Sequence, residues 1–371
     1  MRRELFFALS TAILAVATCL AQTDKTSSDS KAGLKQVSPA LLAAAQDTAP
    51  PPQATGRGVG GRGGFGGPIV LGPDDKPAFP DPPAGFNTKR ENVPHGELTP
   101  VEYDSKSLGT RRRMRIYTPP GYTANRKYPV IYLLHGIGGT DTEWTEACHA
   151  NNIIDNLLAE EKIQPMVLVF PDGNSSRTVA DLAAGGRGAG AGARGAAPPA
   201  GVPPAAVPEG APGGRGAGAA RGGAGRMGMD AWLAPFENDL LKDIIPYVDS
   251  HYSVYSDRDR RALAGLSMGG GQTLNIGLVH PETFAWVGGF SSAPDTRQPP
   301  SALVPDPAVP KQLKLIWLAC GNKDGLIRIS QAVHNYLKEN GVPHIWHVDG
   351  NAHDTTEWDN NLYLFSQRIF K

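Results

Sequence analysis

The chain has 371 residues and equal numbers of acidic and basic side chains, 36 of each, so its formal net charge is zero. This balance gives no indication of a nucleic-acid or acidic-polymer partner, and we expect neither. Apart from Cys19, the chain carries only Cys148 and Cys320, too few for a disulfide framework. We favour two buried thiols over a single bridge.

The N-terminal segment has the pattern of a secretory signal. A short apolar run follows Arg2 and Arg3, and polar sequence begins directly after it. The run is short for a membrane-spanning helix. We predict a signal peptide over residues 1–21 and a secreted or periplasmic protein with no stable membrane span. Cys19 leaves a lipoprotein as the less favoured alternative, because Thr18 fits a lipobox poorly.

Two segments have too few large apolar side chains to form a core. Residues 22–95 are rich in Pro, Gly, Ala and Ser and predict a disordered linker, which leaves one domain over 96–371. Residues 183–229 are almost wholly Gly, Ala, Pro and Arg and predict a disordered insertion in that domain. The insertion follows the predicted strand 166–170 at the sheet edge where ligands bind. A passive expansion is favoured over a lid. Its arginines could engage acidic polysaccharide, although solubility is the simpler reading.

The rest of the domain alternates strands with helices. Alternating residues over 96–104 and 111–120 predict a leading antiparallel hairpin. Continuous apolar runs predict strands at 128–134, 166–170, 261–265, 284–290, 313–320 and 344–348. Helical spacing predicts helices at 152–161, 236–248, 327–340 and 356–369, with a further helix after residue 267. This order predicts an α/β fold with a mostly parallel sheet covered by helices on both faces.

A G-x-S-x-G motif is the most informative feature of the domain. Gly265, Ser267 and Gly269 follow a predicted strand and precede a predicted helix, the context of a nucleophile elbow. Small residues are needed there because the serine takes a strained backbone conformation, and the helix N-terminus stabilises developing negative charge. We therefore predict a serine hydrolase with Ser267 as its nucleophile.

A serine nucleophile needs a histidine base and an acid that orients it, in the chain order serine, acid, histidine. His353 is the histidine after Ser267 that falls in a loop following a predicted strand. Asp324 follows the strand 313–320 and is the favoured acid. The alternative is a helix N-cap, a role that Asp324 could also serve in addition. Asp295 follows the strand 284–290 and remains the competitor.

The oxyanion hole needs two backbone N–H donors. Met268, the residue after the nucleophile, supplies one, and the loop of residues 135–139 supplies the other. His135 precedes the serine and is assigned a packing or hydrogen-bonding role. The sequence has no metal-ligand spacing and no phosphate-binding loop, so we predict no metal and no cofactor.

Five segments together resemble a known family, the esterase family of α/β-hydrolases. They most resemble bacterial xylanase-associated feruloyl esterases, and the family also contains acetyl xylan esterases, S-formylglutathione hydrolases and enterochelin-type esterases. The resemblance runs from about residue 96 to the C-terminus except for the insertion. The glycine pair usual before the histidine is Asn351-Ala352 here. The segments are residues 132–139, 251–258, 264–272, 319–324 and 352–358.

The resemblance implies an α/β-hydrolase fold and a serine carboxylesterase acting on plant cell-wall carbohydrate esters, above all feruloyl esters of xylan. An acetyl xylan or other small-acyl esterase is the alternative. A non-catalytic binding module is disfavoured, since it has no need of three catalytic side chains. The residues that it implies are the triad Ser267, Asp324 and His353, the oxyanion donors Ile137 and Met268, and the substrate contacts Gly136 and Trp358.

Overall fold

The computed structural model describes residues 68–176, 233–292 and 295–371. The predicted signal peptide, the insertion over 183–229 and the first part of the predicted linker lie outside these residues.

The described residues build one sheet in the order β1-β2-β4-β3-β5-β6-β7-β8. β1 and β2 form the predicted antiparallel hairpin, β2 also pairs with β4 in antiparallel fashion, and the remaining neighbours are parallel. The mostly parallel sheet expected from the sequence is thus confirmed. The strands are β1 (Glu97–Ser105), β2 (Thr110–Thr118), β3 (Val130–Leu134), β4 (Val167–Pro171), β5 (Arg261–Leu266), β6 (Trp286–Phe290), β7 (Leu315–Ala319) and β8 (Ile345–His347).

Helices cover both faces of the sheet. Each helix of the described residues is too short or too polar to cross a membrane. The α-helices are α1 (Glu143–Glu146), α2 (Ala150–Ala159), α3 (Ile245–His251), α4 (Ser267–Gly277), α5 (Pro300–Leu303), α6 (Ile327–Glu339) and α7 (Thr355–Ser366).

The helix predicted over 236–248 is longer and less regular than its sequence pattern suggests. Helical residues 233–239 run through a π-helical turn, Leu240–Ile244, into α3. Pro246 lacks an N–H, and its ring would collide with the carbonyl four residues earlier in a regular helix. The wider turn directly before it accommodates the ring.

The central strands are buried on both faces, which explains their continuous apolar sequences. Every residue of β3, β4, β5 and β6 is buried. One core contains Leu263 and Phe236, and the core on the opposite face contains Trp144, Trp317 and Phe365. The carboxyl ends of the parallel strands therefore meet at one edge of a rigid platform.

The ordered domain begins well before residue 96, so the predicted linker boundary is wrong for residues 68–95. Phe79 stacks on Trp317 with ring centroids 5.5 Å apart, and Phe86 meets Tyr363 edge-on at 5.1 Å. The Asn156 side-chain amide donates to the Phe86 carbonyl at 2.8 Å. Composition missed this because a few aromatic anchors suffice in a proline-rich segment, whose unfolded state has less entropy to lose.

We expect Phe79→Ala to lower the free energy of unfolding by about 1–3 kcal/mol, because the ring is half-buried between Trp317 and the Arg368 guanidinium. The midpoint and slope of urea unfolding measure this loss. Lys89→Ala is the control, because Lys89 is exposed and its ion-pair partner among the described residues is the exposed Glu91. If the two variants unfold at the same urea concentration, Phe79 does not anchor the segment.

Candidate active site

The turn between β5 and α4 is a nucleophile elbow in its geometry. Ser267 begins α4 with a φ of 51°, a left-handed value that is costly for a residue with a side chain. A Cβ on Gly265 would lie 2.3 Å from the Gly269 carbonyl oxygen, and one on Gly269 would lie 2.3 Å from the Leu134 carbonyl oxygen. The two motif glycines are therefore required by close backbone contacts on both sides of the serine.

Three predicted residues form one hydrogen-bonded row at the carboxyl edge of the sheet. Ser267 Oγ lies 2.9 Å from His353 Nε2, and His353 Nδ1 lies 2.8 Å from Asp324 Oδ2. Ser267 and Asp324 are buried, whereas the His353 side chain is 31% exposed. The arrangement leaves His353 open to the reacting groups of a ligand while its acid partner is shielded from water.

Asp324 is held by more than the histidine. Its Oδ1 accepts the Leu326 N–H at 2.8 Å, and its Oδ2 also accepts the Cys320 thiol with an Sγ–O distance of 3.4 Å. Burial raises the pKa of this carboxyl, but the hydrogen bonds that it accepts, first of all from His353, and the charge of His353 together outweigh burial and hold the pKa below its ordinary value. Asp324 is thus kept as an anion.

Backbone contacts between two loops bring Asp324 and His353 together. The Asn322 N–H donates to the Asp349 carbonyl at 2.9 Å, and the Lys323 N–H donates to the Asn351 carbonyl at 3.0 Å. A Cβ on Gly321 would lie 2.2 Å from that Asn351 oxygen, so only glycine allows the approach. Asn351, where the resemblance implies a glycine, donates from its side chain to Asp349 Oδ2 at 2.6 Å and stabilises its own loop.

The other histidines that follow Ser267 in the sequence have different partners. His280 contacts two glutamates, His334 and His344 bond to each other, and His347 accepts the Ala78 N–H. His353 is the one among them whose ring meets Ser267.

The predicted oxyanion donors lie on both sides of Ser267. Met268 is the second residue of α4, and its N–H is among the first four of the helix, which have no acceptor within it. Ile137 is 72% exposed, and its N–H donates to none of the described residues. Gly136 is close to the elbow, since a Cβ there would lie 3.4 Å from Ser267 Cβ.

Comparison with known proteins identifies the family. The family model described as "Putative esterase" matches residues 105–200 and 211–367. The chain belongs to this family. The chain is accordingly a carboxylic ester hydrolase, in agreement with the elbow and the hydrogen-bonded row.

Several relatives of this esterase carry activities in their names. An endo-1,4-beta-xylanase/feruloyl esterase of Xylanibacter ruminicola is 29% identical over 292 residues, which are 77% of this chain and 33% of that protein. The chain thus spans about a third of this relative's length. A CE1 ferulic acid esterase of Anaeromyces mucronatus is 25% identical, with a TM-score of 0.58 over 78% of this chain and 96% of that one. The structure of that esterase in complex with ferulic acid has 26% sequence identity to this chain and a TM-score of 0.57. These similarities confirm the predicted α/β-hydrolase fold.

Trp358 is mainly a packing residue in this structure. Its indole meets the His353 ring edge-on, with centroids 5.3 Å apart and the planes at 89°. The side chain is 9% exposed and belongs to the core cluster that includes Trp317 and Phe365. Trp358 therefore packs against the His353 ring from the core side, and its contact with substrate stays a prediction.

Asp295, the competing acid, has a different environment. Both carboxyl oxygens are buried and accept no hydrogen bond from the described residues, and they face Gly271 of α4. Burial raises the pKa of Asp295 to about 8. His353 Nδ1 donates its hydrogen to Asp324 Oδ2 instead.

We expect Asp295→Asn to stabilise the esterase in a pH-dependent way. The unfolded chain releases the Asp295 proton near the ordinary pKa of 3.8 and the folded chain near 8, so wild-type stability falls as pH rises between these values. The side chain of asparagine does not ionise, so the variant does not lose stability in this way as pH rises. Its melting temperature should exceed that of wild type by about 2–6 °C at pH 8 and by much less at pH 4. Thermal unfolding at both pH values measures the difference, and an equal difference at both would show that Asp295 ionises normally.

Sequence reasoning missed two residues that contact the site. Glu143 accepts the Gly136 N–H, and Cys320 donates to Asp324. An acid in the first turn of a helix is an ordinary helix signal, so Glu143 carries no distinguishing mark. Cys320 lies four residues before Asp324 at the end of a predicted strand, a position that could have suggested the contact. Cys148 and Cys320 are both free and buried, as predicted.

The part of the chain that the structure describes has no group of three or more His, Cys, Asp or Glu side chains placed to hold a metal ion.

Proposed function

We propose that the chain is a serine carboxylesterase that hydrolyses plant cell-wall carbohydrate esters, feruloyl esters of xylan in particular, through an acyl-enzyme intermediate. The observation that carries the proposal is the row Ser267–His353–Asp324, with distances of 2.9 and 2.8 Å, in a member of an esterase family. A hydroxyl, an imidazole and a buried carboxylate in this order are the groups that acyl transfer requires.

The first half of the reaction forms the acyl-enzyme. Ser267 Oγ attacks the ester carbonyl carbon while its proton passes to His353 Nε2. Asp324 holds the proton on His353 Nδ1, so that Nε2 is free to accept, and it stabilises the imidazolium that forms. The N–H groups of Ile137 and Met268 bind the negative oxygen of the tetrahedral intermediate. The intermediate then collapses, and His353 gives its proton to the departing sugar hydroxyl.

The second half releases the acid. A water molecule attacks the acyl carbonyl while His353 Nε2 takes its proton, and the same two N–H groups bind the second oxyanion. Collapse returns the proton to Ser267 Oγ and frees the carboxylic acid. The 31% exposure of His353 supports this step, because the base must be reached by both the leaving alcohol and water.

The feruloyl part of the proposal rests on relatives. One is named for both xylanase and feruloyl esterase activity, and another is a ferulic acid esterase with a complex of ferulic acid. A polymeric substrate of the plant cell wall lies outside the producing cell, which fits the predicted signal peptide over residues 1–21. We infer secretion from that pairing.

A substrate panel tests the proposal. The wild-type chain is assayed with methyl ferulate, methyl p-coumarate, acetylated xylan and p-nitrophenyl acetate, and Ser267→Ala serves as the matched control for each. We expect kcat/KM to be highest for methyl ferulate. Preference for acetylated xylan would reassign the enzyme as an acetyl xylan esterase. Wild-type rates equal to those of Ser267→Ala on all four substrates would contradict esterase activity altogether.

A further inference from the structure

The loop of residues 135–139, the oxyanion loop, is held by side chains that take no part in the proton transfers. We propose that Glu143 and His135 are positioning residues that fix the two peptide bonds flanking Gly136, so that the Ile137 N–H faces the reacting carbonyl before substrate binds. This inference rests on the proposed serine esterase function.

Glu143 fixes the first of these peptide bonds. Its Oε2 accepts the Gly136 N–H at 2.7 Å, a charge-assisted hydrogen bond. Glu143 begins α1, and the next residue, Trp144, is buried and donates from its indole to the Leu134 carbonyl at 2.9 Å. The start of α1 is thus held against the end of β3 by two contacts, one to Gly136 and one to Leu134, the residues on either side of His135. A Cβ on Gly139 would lie 2.4 Å from Oε2, so glycine there makes room for the carboxylate.

His135 fixes the second peptide bond. Its Nδ1 lies 2.7 Å from the Gly136 carbonyl oxygen, and because a carbonyl only accepts, Nδ1 carries the hydrogen. The same oxygen accepts the Gly139 N–H at 3.1 Å. On the other side of the ring, Nε2 lies 3.0 Å from Asp172 Oδ1 and 2.8 Å from the Gly173 nitrogen. The imidazole is buried and held from both ends.

The geometry of a trans peptide turns these contacts into an orientation for the donor. The C=O of Gly136 and the N–H of Ile137 lie in one peptide plane and point in opposite directions. His135 Nδ1 and the Gly139 N–H both donate to the Gly136 carbonyl and hold it toward the protein. The Ile137 N–H therefore points away from the protein, where it donates to none of the described residues. Turning this peptide over would break both hydrogen bonds. The donor is therefore oriented before reaction, which is the condition for an effective oxyanion hole.

Paired variants of Glu143 test the proposal with p-nitrophenyl acetate as substrate. Glu143→Gln keeps an oxygen acceptor for the Gly136 N–H, whereas Glu143→Met has similar length and no strong acceptor. Glu146→Gln is the control, because Glu146 lies on the same helix but pairs with Arg115. We expect kcat to fall about 10–100-fold in Glu143→Met. We expect it to stay within about threefold of wild type in Glu143→Gln and to be unchanged in Glu146→Gln.

A transition-state mimic separates positioning from a structural role. An aryl trifluoromethyl ketone adds to a serine and forms an oxyanion, so its Ki should rise by the same factor as kcat falls, while KM for the ester changes little. A purely structural role would lower the melting temperature and the folded fraction, but leave kcat per folded molecule and Ki unchanged. Equal kcat in Glu143→Met and Glu143→Gln, or an unchanged Ki, would overturn the proposal.

A second pair of variants applies if Glu143→Met does not fold. His135→Asn places an amide N–H near the position of Nδ1, whereas His135→Gln reaches toward Asp172 and lacks that donor. We expect His135→Asn to keep at least tenfold more kcat than His135→Gln, and equal kcat in the two would overturn the proposal. A wild-type chain that fails to hydrolyse p-nitrophenyl acetate would instead refute the proposed function itself.

Discussion

Ser267→Ala is expected to fold as the wild type does and to lose at least about 10⁴-fold in kcat. Alanine removes the oxygen that attacks the ester, while the oxyanion donors and His353 remain in place. The residual rate then comes from water attack assisted by the remaining groups. The measurement is kcat on p-nitrophenyl acetate and methyl ferulate, with circular dichroism to verify the fold.

Ser330→Ala is the control for this variant. Ser330 is also buried, and its hydroxyl has no partner among the described residues, but it lies within α6 and away from the elbow. Its kcat should equal that of wild type. A Ser267→Ala enzyme that kept a tenth of the wild-type kcat would show that another group is the nucleophile.

Asp324→Asn is expected to lower kcat on the order of 10³-fold or more, and Asp295→Asn by less than about threefold. An asparagine at 324 can present its NH₂ to His353 Nδ1, which then has to accept rather than donate. In that tautomer Nε2 carries the hydrogen and cannot take the proton of Ser267. Asp295 makes no hydrogen bond to His353, so its replacement leaves the tautomer unchanged.

The two aspartate variants are assayed side by side under identical conditions. The pH profiles of kcat add a second readout. The pKa of Asp324 lies below its ordinary value, so Asp324 stays charged at all pH values where the enzyme is expected to work. Equal losses of kcat in the two variants, or the larger loss in Asp295→Asn, would reassign the third member of the triad.

Much of the fold follows from short-range patterns in the sequence. β3, β4, β5 and β6 are buried on both faces, and such strands are continuous apolar runs that can be recognised one at a time. The elbow was recognisable because its constraint is local. Ser267 takes a left-handed φ, and the glycines two residues away relieve backbone contacts.

The site could be predicted where topology alone places residues at one edge. Asp324 and His353 each follow a parallel strand, and the carboxyl ends of parallel strands meet at the same edge. Asp295 also follows such a strand, and only the side-chain geometry separates it from Asp324. A sequence pattern fixes the edge but not the direction in which each side chain points.

The features that the sequence did not predict depend on contacts between distant residues. Residues 68–95 are ordered by Phe79 against Trp317 and by Phe86 against Tyr363, pairs more than 200 positions apart. Composition reports only the small apolar content of that segment. Glu143 contacts Gly136 through a turn whose shape is set by the glycines of the oxyanion loop. No period or spacing in the chain encodes such a contact.

Labelling with a fluorophosphonate, followed by peptide mapping, tests the central claim most directly. The reagent phosphonylates a serine only where a base activates the hydroxyl and an oxyanion hole binds the phosphoryl oxygen. We expect one adduct on the wild-type chain, located at Ser267, formed together with complete loss of esterase activity, and none on Ser267→Ala. An adduct at another residue, or full activity retained after stoichiometric labelling of Ser267, would contradict the account.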